Sequence, residues 1–318
     1  MSPDIDATHL DAHAGETAPV LSSHSPIGNI FMGPHGIRAG WRLLLFLAFF
    51  LVISRCVTLI PPIHNYAKEQ TRDRQTMTAP GLIALEGLEV VCLLVAASLM
   101  TLIEKKSFAD YYLPLNQAFG KRFWQGVPYG FAMLSLLLAL IAAFRGFSLE
   151  GWALAGTEAL KYGAMYGAGF ILVGIFEEFS FRGYMQSTLT SGIGFWWAAA
   201  ILSILFGAGH LQNLGEAWFG ALMAGSFGLL AAFSLQRTGN IWFPIGMHAA
   251  WDWGETYFYS VPDSGFLAKG HLMNSTFHGP TWLTGGTVGP EGSAFVFLVL
   301  VIGAVGIHFI FPAKRETV

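Results

Sequence analysis

The chain is short of charge. Of its 318 residues only 12% are Asp, Glu, Lys or Arg, against 53% hydrophobic, with a net charge of −3 at pH 7. A typical soluble domain carries about 25% charged residues. The composition therefore excludes an ordinary soluble globule and reads as a polytopic membrane protein. No long basic run is present, so nothing recommends a nucleic-acid partner. Cysteine is nearly absent: Cys56 and Cys92 both lie inside apolar runs, which leaves no disulfide framework and no zinc-finger spacing. The N-terminal stretch lacks the basic start and apolar core of a secretory signal. The metalloprotease signature His-Glu-x-x-His and the Gly-x-Ser-x-Gly elbow are missing too, and Ser180 has no histidine at fixed local spacing, so a serine hydrolase is poorly supported.

Long apolar runs are what the chain does have. Residues 1–36 are polar without period and are expected to form a disordered tail. Three spans follow over 37–150. The first, Trp41 to Ile60, is introduced by Arg38 and Arg42 and ended by Pro61-Pro62. The second, about Leu82 to Ile103, carries Glu86 and Glu89 on one face; antiparallel packing would bring Arg55 to their depth, which predicts a structural ion pair. The third runs from about Gly126 to Phe144. A core over 151–255 holds four more: a fourth span beginning near Gly163, a fifth from Phe195 to His210, a sixth from about Ala217 to Leu235, and a seventh opening at Gly239. The sixth has Gly220, Ala224 and Gly228 at four-residue spacing, which predicts a close-packed central helix. Pro244 suits the first turn of the seventh, which contains His248 and Asp252. Residues 256–318 supply a loop over about 261–292, expected to be a passive outer loop, and a last span, Ser293 to Phe311. The expected fold is an all-α, polytopic transmembrane helical bundle of about eight spans. The Lys and Arg balance places its N-terminus inside. Its setting is a lipid bilayer, the plasma (inner) membrane if the source is bacterial.

Ionisable groups inside such spans are costly unless something uses or pairs them. In Phe176-Glu177-Glu178-Phe179-Ser180-Phe181-Arg182-Gly183 the residues Glu178 and Arg182 stand four apart on one helical face and can pair. Glu177 points about 100° away, free to meet a substrate, a water or a metal. The same run also reads as a cluster of snorkelling charges at the headgroups. His210 sits four residues after Phe206, and His248 four before Asp252. His210 could mark the polar end of a helix, and His248 with Asp252 could be a structural hydrogen bond. Together, a carboxylate and two histidines are the group set for activating water. Straight helices would put Glu177 and His210 at depths differing by roughly 15 Å at 1.5 Å per residue. Either the span boundaries differ or the stretch from Phe179 to Gly194 bends along the interface. His271 and His278 are expected to be solvated, and His64 and His308 have no partner in view.

The three runs Glu177-Glu178-x-x-x-Arg182, Phe206-x-x-x-His210 and His248-x-x-x-Asp252, in this order, resemble the motifs of the CAAX-protease and bacteriocin-processing family of intramembrane proteases, which includes the Rce1-type prenyl-protein endopeptidases. The flanks Phe181-Arg182-Gly183-Tyr184 and Phe243-Pro244-Ile245-Gly246-Met247 are similar too. The likeness covers about Gly163 to Trp253. It implies peptide-bond hydrolysis within the membrane, on a peptide or protein substrate. By position, Glu177 would be the general base, working with His210 on the attacking water. Arg182 would hold Glu178, and His248 with Asp252 would face the developing oxyanion. The family's description as metalloproteases implies a possible zinc ion on Glu178, His210 and His248. One departure is Asp252, where prenyl-protein proteases often carry asparagine. An ionised carboxylate has no proton to donate, so Asp252 would orient His248 and leave the imidazole as donor. Two other readings stay open: an ion-coupled transporter, and a non-catalytic membrane scaffold or immunity-type protein.

Overall fold

The computed structural model describes residues 28–33, 36–73, 76–211 and 218–312. Residues up to Arg38 form a small unit by themselves. In it, α1 (Gly28–Phe31) leads into an antiparallel pair of β1 (Met32–Gly33) and β2 (Gly36–Ile37). Most of the tail expected to be disordered lies outside the described residues.

The second unit, from Ala39 on, is helical. Backbone groups in lipid have no water to satisfy them, so a spanning segment closes its hydrogen bonds internally. In order come α2 (Ala39–Thr58), α3 (Pro61–Gln70), a short strand β3 (Thr76–Thr78), α4 (Ala79–Glu104), α5 (Lys121–Ala143), β4 (Phe147–Trp152) and α6 (Gly156–Glu178). A π-helical stretch, Phe179–Met185, joins α6 without a break to α7 (Gln186–Ile193). Then follow α8 (Phe195–His210), α9 (Trp218–Thr238), α10 (Trp242–Trp253), a second π-helical stretch Gly254–Phe258, strands β5 (Leu267–Lys269) and β6 (Met273–Phe277), α11 (Thr281–Thr284) and α12 (Phe295–Ile310). Among the described residues five helical stretches are long and apolar enough to cross a membrane: α2, α4, α5, the continuous 156–193 helix, and α9. Helices α8 and α12 are apolar but have 16 residues each, and α10 has 12. The eight expected runs each carry a helix, and three of them are short.

The fourth span does not end at the glutamates. It continues to Ile193, where Gly194 turns the chain at φ 81°, a conformation that suits glycine. The helix therefore climbs from Glu177 to Ile193 and α8 descends from Phe195 to His210 by nearly the same length. The expected depth mismatch disappears, and no bend along the interface is needed. Across this hairpin the rings of Phe181 and Phe206 lie 5.1 Å apart.

The most enclosed helix is α10, not α9: every residue from Trp242 to Asp252 is buried. Small residues on both helices bring it and α5 to backbone distance. A Cβ on Gly130 would stand 1.9 Å from the Met247 carbonyl oxygen, and one on Gly246 would stand 2.3 Å from that of Phe123. Such close approach is how helices associate where lipid offers no hydrophobic drive.

The connection after α10 is more than a passive loop. Its β5 pairs in parallel with β3, and its β6 pairs antiparallel with β4. The connections before α4, before α6 and after α10 thus meet at one end of the bundle. At the other end, the Ile241 N–H donates to the Tyr112 carbonyl and the Trp242 indole to that of Pro114, which joins the α4–α5 connection to the α9–α10 corner.

Candidate active site

Glu178 closes α6 with 0% of its surface exposed. Arg182 follows within the π-helical stretch, its Nη1 3.3 Å from Glu178 Oε1. Its guanidinium lies 4.3 Å from the Phe206 ring centre and donates from Nε to the Gly228 carbonyl at 3.4 Å. A Cβ on Gly228 would stand 2.4 Å from Arg182 Nη2, so this small residue of α9 serves the arginine more than a neighbouring helix. π-Helical insertions are frequent at functional sites, because they re-aim side chains within an otherwise regular helix.

His248 reaches the same carboxylate from α10. Its Nδ1 is 2.8 Å from Glu178 Oε1, which fixes Nδ1 as the donor towards an acceptor-only group. Its Nε2 faces the other way, 3.5 Å from Glu177 Oε2 and 3.6 Å from Asp252 Oδ2. The Glu177 side chain is 25% exposed, whereas those of Glu178 and Asp252 are buried, so Glu177 is the carboxylate that water or substrate can reach.

His210 stands nearby but touches none of these carboxylates. The Phe206 carbonyl takes its Nδ1 at 2.9 Å, which leaves Nε2 as the available nitrogen. The Phe206 ring is 4.7 Å from His210 and 6.5 Å from His248, between the two imidazoles. A cavity of about 20 Å³ beside His210 is lined also by Phe227, Trp251 and Glu291, and has room for about one water.

The ion pair expected at Arg55 does not form among the described residues. Arg55 is exposed, and Ser54 Oγ donates to Glu89 Oε2 at 3.0 Å. Glu86 lies within electrostatic reach of Glu177 and Glu89. Thus α4, which packs on α6, brings a further carboxylate towards the site. The only signal for it in the sequence was its position inside a span, and that signal did not say which helix it faces. His308, without a visible partner in the sequence, receives Arg237 Nη2 at 3.0 Å.

The zinc set suggested by the resemblance does not fit the arrangement. Glu178 lies on the Nδ1 side of His248, opposite the Nε2 edge that faces Glu177 and Asp252, and it is already engaged by Arg182. Glu178, His210 and His248 are not among the described groups whose ligand atoms converge.

Helices of membrane length and buried, mutually paired ionisable groups define the class: an all-α integral membrane protein with a polar site in its interior. Residues 159–254 match the family model described as type II CAAX prenyl endopeptidase Rce1-like. The match runs from α6 into the second π-helical stretch and contains Glu177, Glu178, Arg182, His210, His248 and Asp252. It supports a CAAX-type protease, and a protease family implies a peptide or protein substrate. Helices α2 to α5 and everything after residue 254 lie outside it. No curated protein and no solved structure matches the chain.

Proposed function

We propose that the protein is an intramembrane endopeptidase that hydrolyses a peptide bond of a membrane-associated protein or peptide with a water activated by Glu177. The observation that carries this reading is the His248 ring, held on one side by the buried Glu178 and presented on the other to the partly exposed Glu177. In the first step Glu177 takes a proton from the water as its oxygen bonds to the scissile carbonyl carbon. His210, through its remaining Nε2, positions that water. His248, carrying a proton on both ring nitrogens, faces the oxyanion that forms with its Nε2–H, and Asp252 Oδ2, 3.6 Å from that nitrogen, sets the ring's angle. In the second step Glu177 returns the proton to the leaving nitrogen as the C–N bond breaks. Glu178 and Arg182 touch no substrate atom and act as positioning residues for His248.

The test uses the full chain in detergent or nanodiscs with prenylated and unprenylated CAAX-type peptides beside a mixed peptide panel. Glu177→Gln, a nearly isosteric change, should lower cleavage by about 10²–10⁴-fold while leaving the melting profile unchanged. Equal cleavage by the variant, or none from folded wild type across the panel, would sink the reading.

A further inference from the structure

A second acidic group lies just beyond the matched region; its Glu291 lines the small cavity beside His210, and the mechanism above uses none of its carboxylates. Glu255 is the second residue of the second π-helical stretch, Asp263 lies in the loop that follows, and Glu291 precedes α12. One carboxylate oxygen from each lies within 4.8 Å of the other two. Glu255 is 0% exposed, and neither of its carboxylate oxygens has a hydrogen-bond partner. The Trp251 indole N–H lies towards it as a long, neutral donor that brings no counter-charge. Among the described residues no Lys, Arg or His side chain forms an ion pair with any of the three. A carboxylate taken out of water without a donor or counter-charge costs several kcal/mol. Glutamine or leucine could fill the same space without that cost.

The other two carboxylates are held in place. Thr256 Oγ1 donates to Asp263 Oδ2 at 2.8 Å, and Ser264 Oγ donates to Glu291 Oε2 at 3.0 Å. The loop is pinned around them: the Val261 N–H donates to the Glu255 carbonyl, Asp263 and Phe266 exchange backbone hydrogen bonds, and the Gly265 N–H donates to the Val288 carbonyl. Three carboxylates on a fixed backbone, one wholly buried and unpartnered, form an all-oxygen donor set suited to a hard cation and not to zinc or copper.

We propose that Glu255, Asp263 and Glu291 bind a hard divalent cation of the calcium class, which ties the loop after α10 and the segment before α12 to the end of the helix carrying His248 and Asp252. The cation supplies the charge these groups lack and braces one wall of the site. With the N-terminus inside, this end of the bundle faces outward, where calcium sites of 10⁻⁴–10⁻³ M affinity are common.

The experiment takes the full chain in detergent, stripped with EGTA, and reads terbium luminescence and thermal unfolding with and without calcium. Wild type should show terbium emission sensitised by Trp251 and displaced by calcium, and a melting temperature raised by roughly 5 °C at a hundredfold excess over Kd. The double variant Asp263→Asn/Glu291→Gln should lose both responses yet melt in EGTA no lower than wild type, because the like-charge repulsion is gone. Glu177→Gln should keep both, which separates this site from the proposed catalytic one. Folded wild type with neither response, a double variant that retains them, or their loss in Glu177→Gln would overturn the proposal.

Discussion

Removing the Arg182 guanidinium would leave the Glu178 carboxylate buried with His248 as its remaining charged neighbour, and breaking a buried pair costs about 3–5 kcal/mol. Arg182→Met should therefore lower thermal stability strongly, while Arg182→Met combined with Glu178→Gln should regain much of the loss, because a neutral amide replaces the stranded charge. Unfolding of the three proteins in the same detergent measures this, and a single variant as stable as wild type would count against the pairing. The pair was legible in the sequence because four residues along a helix is a local distance. The split between Glu177 and Glu178 was legible only in part. Their opposed directions follow from helix geometry, but Glu177's accessibility depends on what other helices cover.

At the scale of elements, the proposed site depends on how deeply α10 is set against α5. Gly130→Ala would drive a methyl group into the Met247 carbonyl, one residue before His248, whereas a Cβ on Gly40 of α2 would meet nothing within 4 Å. Overpacking of this kind costs about 1–3 kcal/mol. Gly130→Ala should thus lower the melting temperature and reduce cleavage by moving His248, and Gly40→Ala should change neither. Equal melting temperatures for the two variants would refute this packing account. The spacing Gly220, Ala224, Gly228 pointed to α9 as the central helix. It does pack closely, with Gly207 of α8 against the Ala221 carbonyl, but Gly228 makes room for Arg182, a contact between residues 46 apart that no local pattern encodes. The π-helical stretch was hidden for a related reason: its residues also suit an ordinary helix, and no local pattern separates the two.

For the whole molecule, the paired strands collect three connections at one end and the Tyr112–Ile241 contact joins two at the other. On the orientation that the Lys and Arg balance predicts, a Gln117→Cys variant in a cysteine-free background should be labelled by an impermeant maleimide only from the cytoplasmic side, and Thr276→Cys only from the opposite side. Labelling of both from one side would reject the topology, and an exchange of sides would reverse the orientation while keeping it.

Membrane character, helical class and the order of the spans were determined by the sequence itself, which also singled out the six residues proposed for the site. Each rests on composition, on run length or on spacing within one turn of helix, and lipid leaves the backbone few alternatives. Only the tertiary structure decided that the fourth helix continues past its glutamates, that α10 is the enclosed element, that Glu86 comes within electrostatic reach of Glu177 while Arg55 stays exposed, and that Glu255, Asp263 and Glu291 meet. These are contacts between segments distant in the chain, and their partners are chosen by packing, on which hydrophobic periodicity is silent.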